Sequence, residues 1–299
     1  MKGWLVTMSK AQRIRTQNAR QKVAAQQAAA RRSETRRRAM IAAGSVALVV
    51  ALVIVLIVVR LNRSPAAAGT ASAAADAALT RDIATVPASA FNLVGSGSAA
   101  GLKAITGQPQ LAAGGKPELL YMGGEFCPYC GAERWAIAAA VSRFGTLAGL
   151  HFIHSSPADI YANTPTLSFY RSRYTSKYLE FVPVEWYGER PDPSTPLRHV
   201  YLQHPSQQQV ALFTRYADGI PFVDIANRYV VQNAQYVPSD LAGLSWTQVA
   251  AAMHDPSSTV GKDIDGAANM ITAAICKMTK DQPGNVCTSA GVTAASKSI

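Results

Sequence analysis

The sequence predicts an α/β fold, a mixed sheet flanked by helices, behind one N-terminal transmembrane helix. Three observations carry that expectation. Met40 to Val59, "MIAAGSVALVVALVIVLIVV", is a run of 20 residues without a charge. From Lys116 onward, short apolar runs alternate with Ala-rich stretches of helical character. All four cysteines follow the uncharged run, and two of them stand as "CPYC" where a strand-like stretch gives way to a helix-like one.

Charge orders the N-terminal part. The 299-residue chain has a net charge of +11, which by itself suggests a nucleic-acid partner. The charge is concentrated, however. Residues 1–39 hold eleven Lys/Arg against the single acid Glu34, and the rest of the chain is nearly neutral. A basic arm before an uncharged 20-mer reads as an orientation signal, so residues 1–39 are expected in the cytoplasm and residues 40–59 in the bilayer. A cleaved signal peptide is the competing reading, but its apolar core is shorter and its lead is short. On the membrane reading everything after Arg60 is extracytoplasmic, and no nucleic acid is expected as a partner. Residues 60–82 are rich in Ala, Ser and Thr with few large apolar side chains, and read as a flexible linker. Residues 83–290 read as the folded domain.

Within that domain, "PELLYMGG" reads as a buried strand. "CPYCGAERWAIAAAVSRFG" reads as a helix with proline at its start and Gly145 at its end. "LHFIHSS" is a second strand, and the aromatic-rich "TLSFYRSRYTSKYLEFVPVEWYG" a strand pair or extended arms. "SQQQVALFTRYADG" is a helix closed by Gly219. "IPFVDIANRYVVQNAQYV" is a hairpin turning near Asn227. "SWTQVAAAMHD" and "SSTVGKDIDGAANMITAAICKMTK" are closing helices.

Four cysteines in an oxidising compartment favour disulfide chemistry over metal binding, and their spacing divides them into Cys127/Cys130 and Cys276/Cys287. Cys127 belongs at a helix N-terminus, with Pro128 at the first helical position. Unpaired N–H groups and the positive end of the helix dipole there favour a thiolate. Cys127 is therefore the expected exposed nucleophile and Cys130, a turn deeper, the shielded resolving thiol. A zinc site needs four ligands, and His151 and His154, three apart in a strand, point to opposite faces. No metal and no cofactor are expected. A static structural bridge is the other alternative. Glu125 is a candidate proton acceptor for the resolving thiol, against the plainer reading of a solvated loop acid. Glu133 and Arg134 are expected to pack or to face water. Pro221 opens an apolar strand after a glycine turn. In thioredoxin-like folds a cis-proline begins the strand facing the redox helix, which makes Ile220-Pro221 a candidate substrate-docking edge; a trans proline that merely starts a strand is the plainer reading. Cys276 and Cys287, on either side of the turn "DQPGN", read as a structural disulfide, with a second redox pair as the alternative.

The stretches "GGEFCPYCGAERWAIAAAVSRFG", "NTPTLSFYRS", "IPFVDIANRYVV" and "DGAANMITAAICKMTKDQPGNVC" together resemble the domain-of-unknown-function 929 family, over roughly Lys116 to Cys287. The resemblance implies a membrane-tethered thioredoxin-like domain and implies no particular reaction. The function expected from the residues is a membrane-anchored, extracytoplasmic thiol–disulfide oxidoreductase using the "CPYC" pair. Its expected partners are the lipid bilayer through residues 40–59, protein thiol or disulfide substrates, and a membrane redox partner that resets the pair. The alternative is a non-catalytic thioredoxin-like binding or assembly module with static disulfides.

Overall fold

The computed structural model describes residues 73–299. The expected basic arm, the apolar run 40–59 and the linker up to residue 72 lie outside the described residues. Among the described residues no helix is long and apolar enough to cross a membrane.

The chain opens with helices α1 (Ala73–Ala84) and α2 (Ala88–Val94), then the short strands β1 (Lys103–Ala104) and β2 (Ala112–Ala113). Helix α1 corrects the expected linker, which ran to residue 82. The segment does have few large apolar residues, but Leu79 and Ile83 are four apart on an Ala-rich helix. They fall on one face and are buried in the main core. Asp76 on the same helix receives the Phe152 backbone N–H at 3.4 Å.

Next come β3 (Lys116–Gly124) and helix α3 (Pro128–Ser142), as the apolar run and the Ala-rich stretch predict. The expected second strand exists as β5 (His151–His154), after β4 (Gly145–Ala148), but it does not join the main sheet. It pairs with β6 (Pro165–Ser168), while β4 pairs with β7 (Arg173–Ser176). The aromatic-rich stretch therefore makes more than a strand pair. Its last part is β8 (Glu180–Pro191), which lies parallel to β3, with Gly123 opposite Glu185. After β9 (His199–Tyr201) and helix α4 (Gln207–Tyr216), β10 (Phe222–Ile225) and β11 (Tyr229–Gln232) form the expected hairpin. Ala226 and Asn227 take positive φ at its turn. The main sheet runs β1-β11-β10-β3-β8-β9, with β2 also on β3, and only the β3–β8 pair is parallel. Helices α5 (Trp246–Met253), α6 (Thr259–Met278), α7 (Gly284–Cys287) and α8 (Ala290–Ala295) close the chain. The described body extends past residue 290, with Val292 and Ala295 in the core.

The fold is thus mixed α/β, a mixed sheet flanked by helices. One core lies between the sheet and helices α1, α3, α5 and α6; a smaller one, built on Leu120, Met122, Val184 and Phe222, lies under α4 on the other face. This arrangement sandwiches α3 between the sheet and α6. Its residues 130–141 are all buried, so the helix that carries "CPYC" is held on every side.

Cys276 and Cys287 form a disulfide with Cα atoms 5.5 Å apart, tying the end of α6 to α7. The two cysteines are 11 positions apart in the sequence. Loop-entropy reasoning puts the contribution of the bridge at about 3 kcal/mol. Replacing both cysteines by alanine is expected to lower the denaturant midpoint accordingly and to leave thiol exchange at Cys127 intact. Loss of exchange in a variant that remains folded would show that the second pair relays electrons.

Buried acids leave a signature in pH. On α6, Asp265 is buried with both carboxylate oxygens unpartnered, and burial pushes its pKa up to about 8, with Arg143 pulling it down. Glu133 on α3 receives only the Gln235 N–H, at 2.9 Å, and burial raises it to about 7. Such groups bind protons more tightly in the folded state, so their stabilising contribution is full below the ordinary carboxylate range. It is lost as pH rises through the folded values. Stability should therefore fall from about pH 5 to about pH 8, on the order of a few kcal/mol. Urea midpoints across that range measure it, and Asp265→Asn should flatten the profile. A midpoint that rises steadily with pH in the unmodified chain would refute the assignment.

Candidate functional site

Cys127 is the N-cap of α3. Its sulfur accepts the Cys130 backbone N–H at 3.3 Å, as a serine oxygen would at the same position. Pro128 occupies the first helical turn, where a missing N–H leaves nothing unsatisfied. Position three of the turn therefore returns Cys130 to the same end of the helix. Both thiols are free. Thr166 Oγ1 donates to the Gly131 carbonyl at 2.9 Å, and the Trp135 ring N–H to the Pro165 carbonyl at 3.0 Å, so β6 clamps the first turns of the helix. Gly131 is what lets β6 come so close: a Cβ there would meet Thr166 Cβ at 3.3 Å.

One expectation is corrected here. Cys127 is buried, with 6% of its surface exposed, not open to solvent. Two loops cover it. Phe126 stacks face to face on His199 with ring centroids 3.9 Å apart, and its carbonyl accepts the Ser156 N–H at 2.8 Å. The Cys127 thiol donates to the Ile220 carbonyl at 3.8 Å. The Ile220–Pro221 peptide bond is cis, and Pro221 leads directly into β10. The candidate docking edge thus lies against the candidate nucleophile, although 93 residues separate them in the chain.

The two thiols differ in acidity in the expected sense. A hydrogen bond from Cys130 lowers the Cys127 pKa, burial opposes it, and the Cys130 and Tyr129 N–H groups and the Arg134 charge lower it further. Burial pushes Cys130 well up, the neighbouring Cys127 adds to the rise, and Arg134 counters it. The helix N-terminus expected to do this work acts through those N–H groups.

Glu125 is half-buried and accepts from Ser168 Oγ at 2.7 Å. Burial raises its pKa, and the Ser168 bond restrains the rise. Cys127, Arg134 and the Gly124 backbone act on Cys130, while the hydrogen bond found for Glu125 is to Ser168. His151 sits at 3.4 Å from Asp76, and His154 lies against the Trp246 ring, so the two have different surroundings.

What the residue-by-residue reading missed lies beneath the dithiol. Arg134, one turn beyond Cys130, is wholly buried and grips Glu185 of β8 through two bonds of 2.8 Å. Glu185 Oε1 also accepts the Phe169 N–H at 3.1 Å. The guanidinium lies 5.8 Å from the centre of the Tyr121 ring. Burial would lower the Arg134 pKa, but Glu185 and Tyr121 raise it, so it remains a cation. The signal available in the sequence was weak: an arginine immediately before the apolar run "WAIAAAV" of a helix, with its partner 51 residues away.

The fold and site define an α/β protein in which a dithiol caps a buried helix. Residues 104–197 match the family model described as Domain of unknown function (DUF929), the family that the sequence resembles. The matched segment holds "CPYC", Arg134 and Glu185; the stretches "IPFVDIANRYVV" and "DGAANMITAAICKMTKDQPGNVC" lie beyond it. No curated protein and no solved structure matches the chain.

Proposed function

We propose that this chain is a membrane-anchored, extracytoplasmic thiol–disulfide oxidoreductase with a thioredoxin-like domain. The observation that carries the proposal is the placing of two free thiols at one helix N-terminus, Cys127 as the N-cap against the Ile220 carbonyl and Cys130 wholly buried one turn deeper. The opposite directions of their pKa shifts agree with it. That asymmetry suits one sulfur to attack and the other to wait. The Cys127 thiolate attacks a client disulfide; one client sulfur leaves and a Cys127–client bond forms. Cys130 loses its proton and attacks Cys127. The Cys127–Cys130 disulfide forms, the client sulfur departs with the electron pair, and it takes up a proton. The client is reduced and the pair oxidised; the reverse sequence oxidises a client. The Ile220 carbonyl, beside Cys127, is suited to receive a backbone N–H of an extended client. The membrane anchor and the compartment rest on the basic arm and uncharged 20-mer of the sequence.

Mild reduction of the full-length chain followed by a thiol-specific alkylating agent tests the reading. Cys127 should be labelled first, with a rate that rises with pH to a midpoint below that of an ordinary thiol, and Cys130 should be labelled only after unfolding. A Cys127–Cys130 bridge that resists mild reduction would instead support the non-catalytic binding module.

A further inference from the structure

We propose that Arg134 is a positioning residue for the resolving step: its buried charge, fixed by Glu185 one helical turn behind Cys130, favours the Cys130 thiolate that has to form there. The inference rests on the oxidoreductase reading.

The chemistry sets the problem. Cys130 is completely buried, and burial disfavours the thiolate it needs in order to attack the mixed disulfide. The expected helper, Glu125, is engaged with Ser168 and is itself an anion when ionised, which would oppose a second negative charge. A fixed cation is the group that lowers this cost, and Arg134 is the one that acts on both sulfurs.

Its geometry suits the task. Residues four apart on a helix share a face, so Arg134 and Cys130 are neighbours on α3. Nε and Nη2 are committed to the two oxygens of Glu185, which orients the planar guanidinium. Nη1 is buried and has no partner. An orphaned donor on a buried cation is costly, and a thiolate forming nearby would relieve it. The other titratable groups around this point are Cys127 on the same helix, Tyr121 on β3, Glu185 and Glu189 on β8, and Glu125 before the helix. Tyr121 Oη is also unpartnered and its pKa is driven well up, first by burial, so it stays neutral and adds no opposing charge. Glu133, adjacent in sequence, turns to Gln235.

The test follows both sulfurs in one trace. Reduced full-length chain, in detergent, is mixed with the disulfide of thionitrobenzoate. Attack by Cys127 releases one coloured thionitrobenzoate; attack by Cys130 on the resulting mixed disulfide releases a second and forms the Cys127–Cys130 bond. Cys130→Ala identifies the second phase by abolishing it. The variant pair Arg134→Met with Glu185→Leu removes both charges together and so avoids stranding one of them. We expect its second phase to move upward in pH by about one unit, about tenfold slower at neutral pH, with the first phase changed less. Arg134→Lys, which keeps the charge, should recover part of the loss. An unshifted second-phase midpoint in the folded double variant would overturn the inference and leave the oxidoreductase reading standing. Failure of the unmodified chain to release any thionitrobenzoate would overturn both.

Discussion

Expressed in its host, the Cys130→Ala variant is expected to accumulate covalent complexes with client proteins, visible on non-reducing gels and dispersed by reductant. Cys127→Ala is expected to show none. The difference follows from the positions of the two sulfurs. Cys127 sits at the start of the helix, against the Ile220 carbonyl, with its thiolate favoured by the Cys130 side chain and also, independently of that side chain, by N–H groups and by Arg134. Without Cys130 it still attacks, but nothing inside the protein releases the client. Cys130 has no exposed surface and an elevated pKa, so alone it reaches no client. Exchange should be abolished by loss of Cys127 and stall after one half-reaction with loss of Cys130. Equal trapping by the two variants would remove the assigned roles, and trapping by neither, in folded protein, would favour the binding module.

The largest loss of stability is expected from removing one member of the buried ion pair. Glu185→Leu leaves the Arg134 guanidinium charged and without its acceptor, at a site from which solvent is excluded. Breaking such a pair costs about 3–5 kcal/mol, because an uncompensated charge remains buried. Removing both partners, as in Arg134→Met with Glu185→Leu, should cost much less than the single change. The pair replaces its own desolvation with mutual attraction, and apolar side chains of similar size need neither. Urea unfolding measures this as a shift of midpoint at constant slope. If Glu185→Leu proved as stable as the unmodified chain, the pair would not be the buried contact described. That outcome would also weaken the case for Arg134 as a fixed charge beneath the thiols.

Local sequence determined a good deal. Pro128 after Cys127 and the Ala-rich run behind it specify a helix start wherever the segment lies, because proline and the N-cap act within one turn. The hairpin at Asn227 and the paired spacing of Cys276 and Cys287 were legible for the same reason: each depends on residues a short distance apart. Tertiary structure decided the rest. The partner of β3 is β8, not the nearer β5, since two small sheets occupy the intervening chain. Residues 73–82 are helix because Leu79 and Ile83 find a core that composition cannot reveal. Cys127 is buried and meets the Ile220 carbonyl because the loop before β10 is brought to the helix start from 93 residues away. Arg134 could not be assigned from its neighbours at all. Whether an arginine on a helix faces water or forms a buried pair depends on which carboxylate the fold brings to it, and Glu185 is brought there only by the parallel register of β3 and β8. Periodicity and capping are short-range properties written in consecutive residues, whereas burial and charge pairing depend on which distant segments the assembled sheet places side by side.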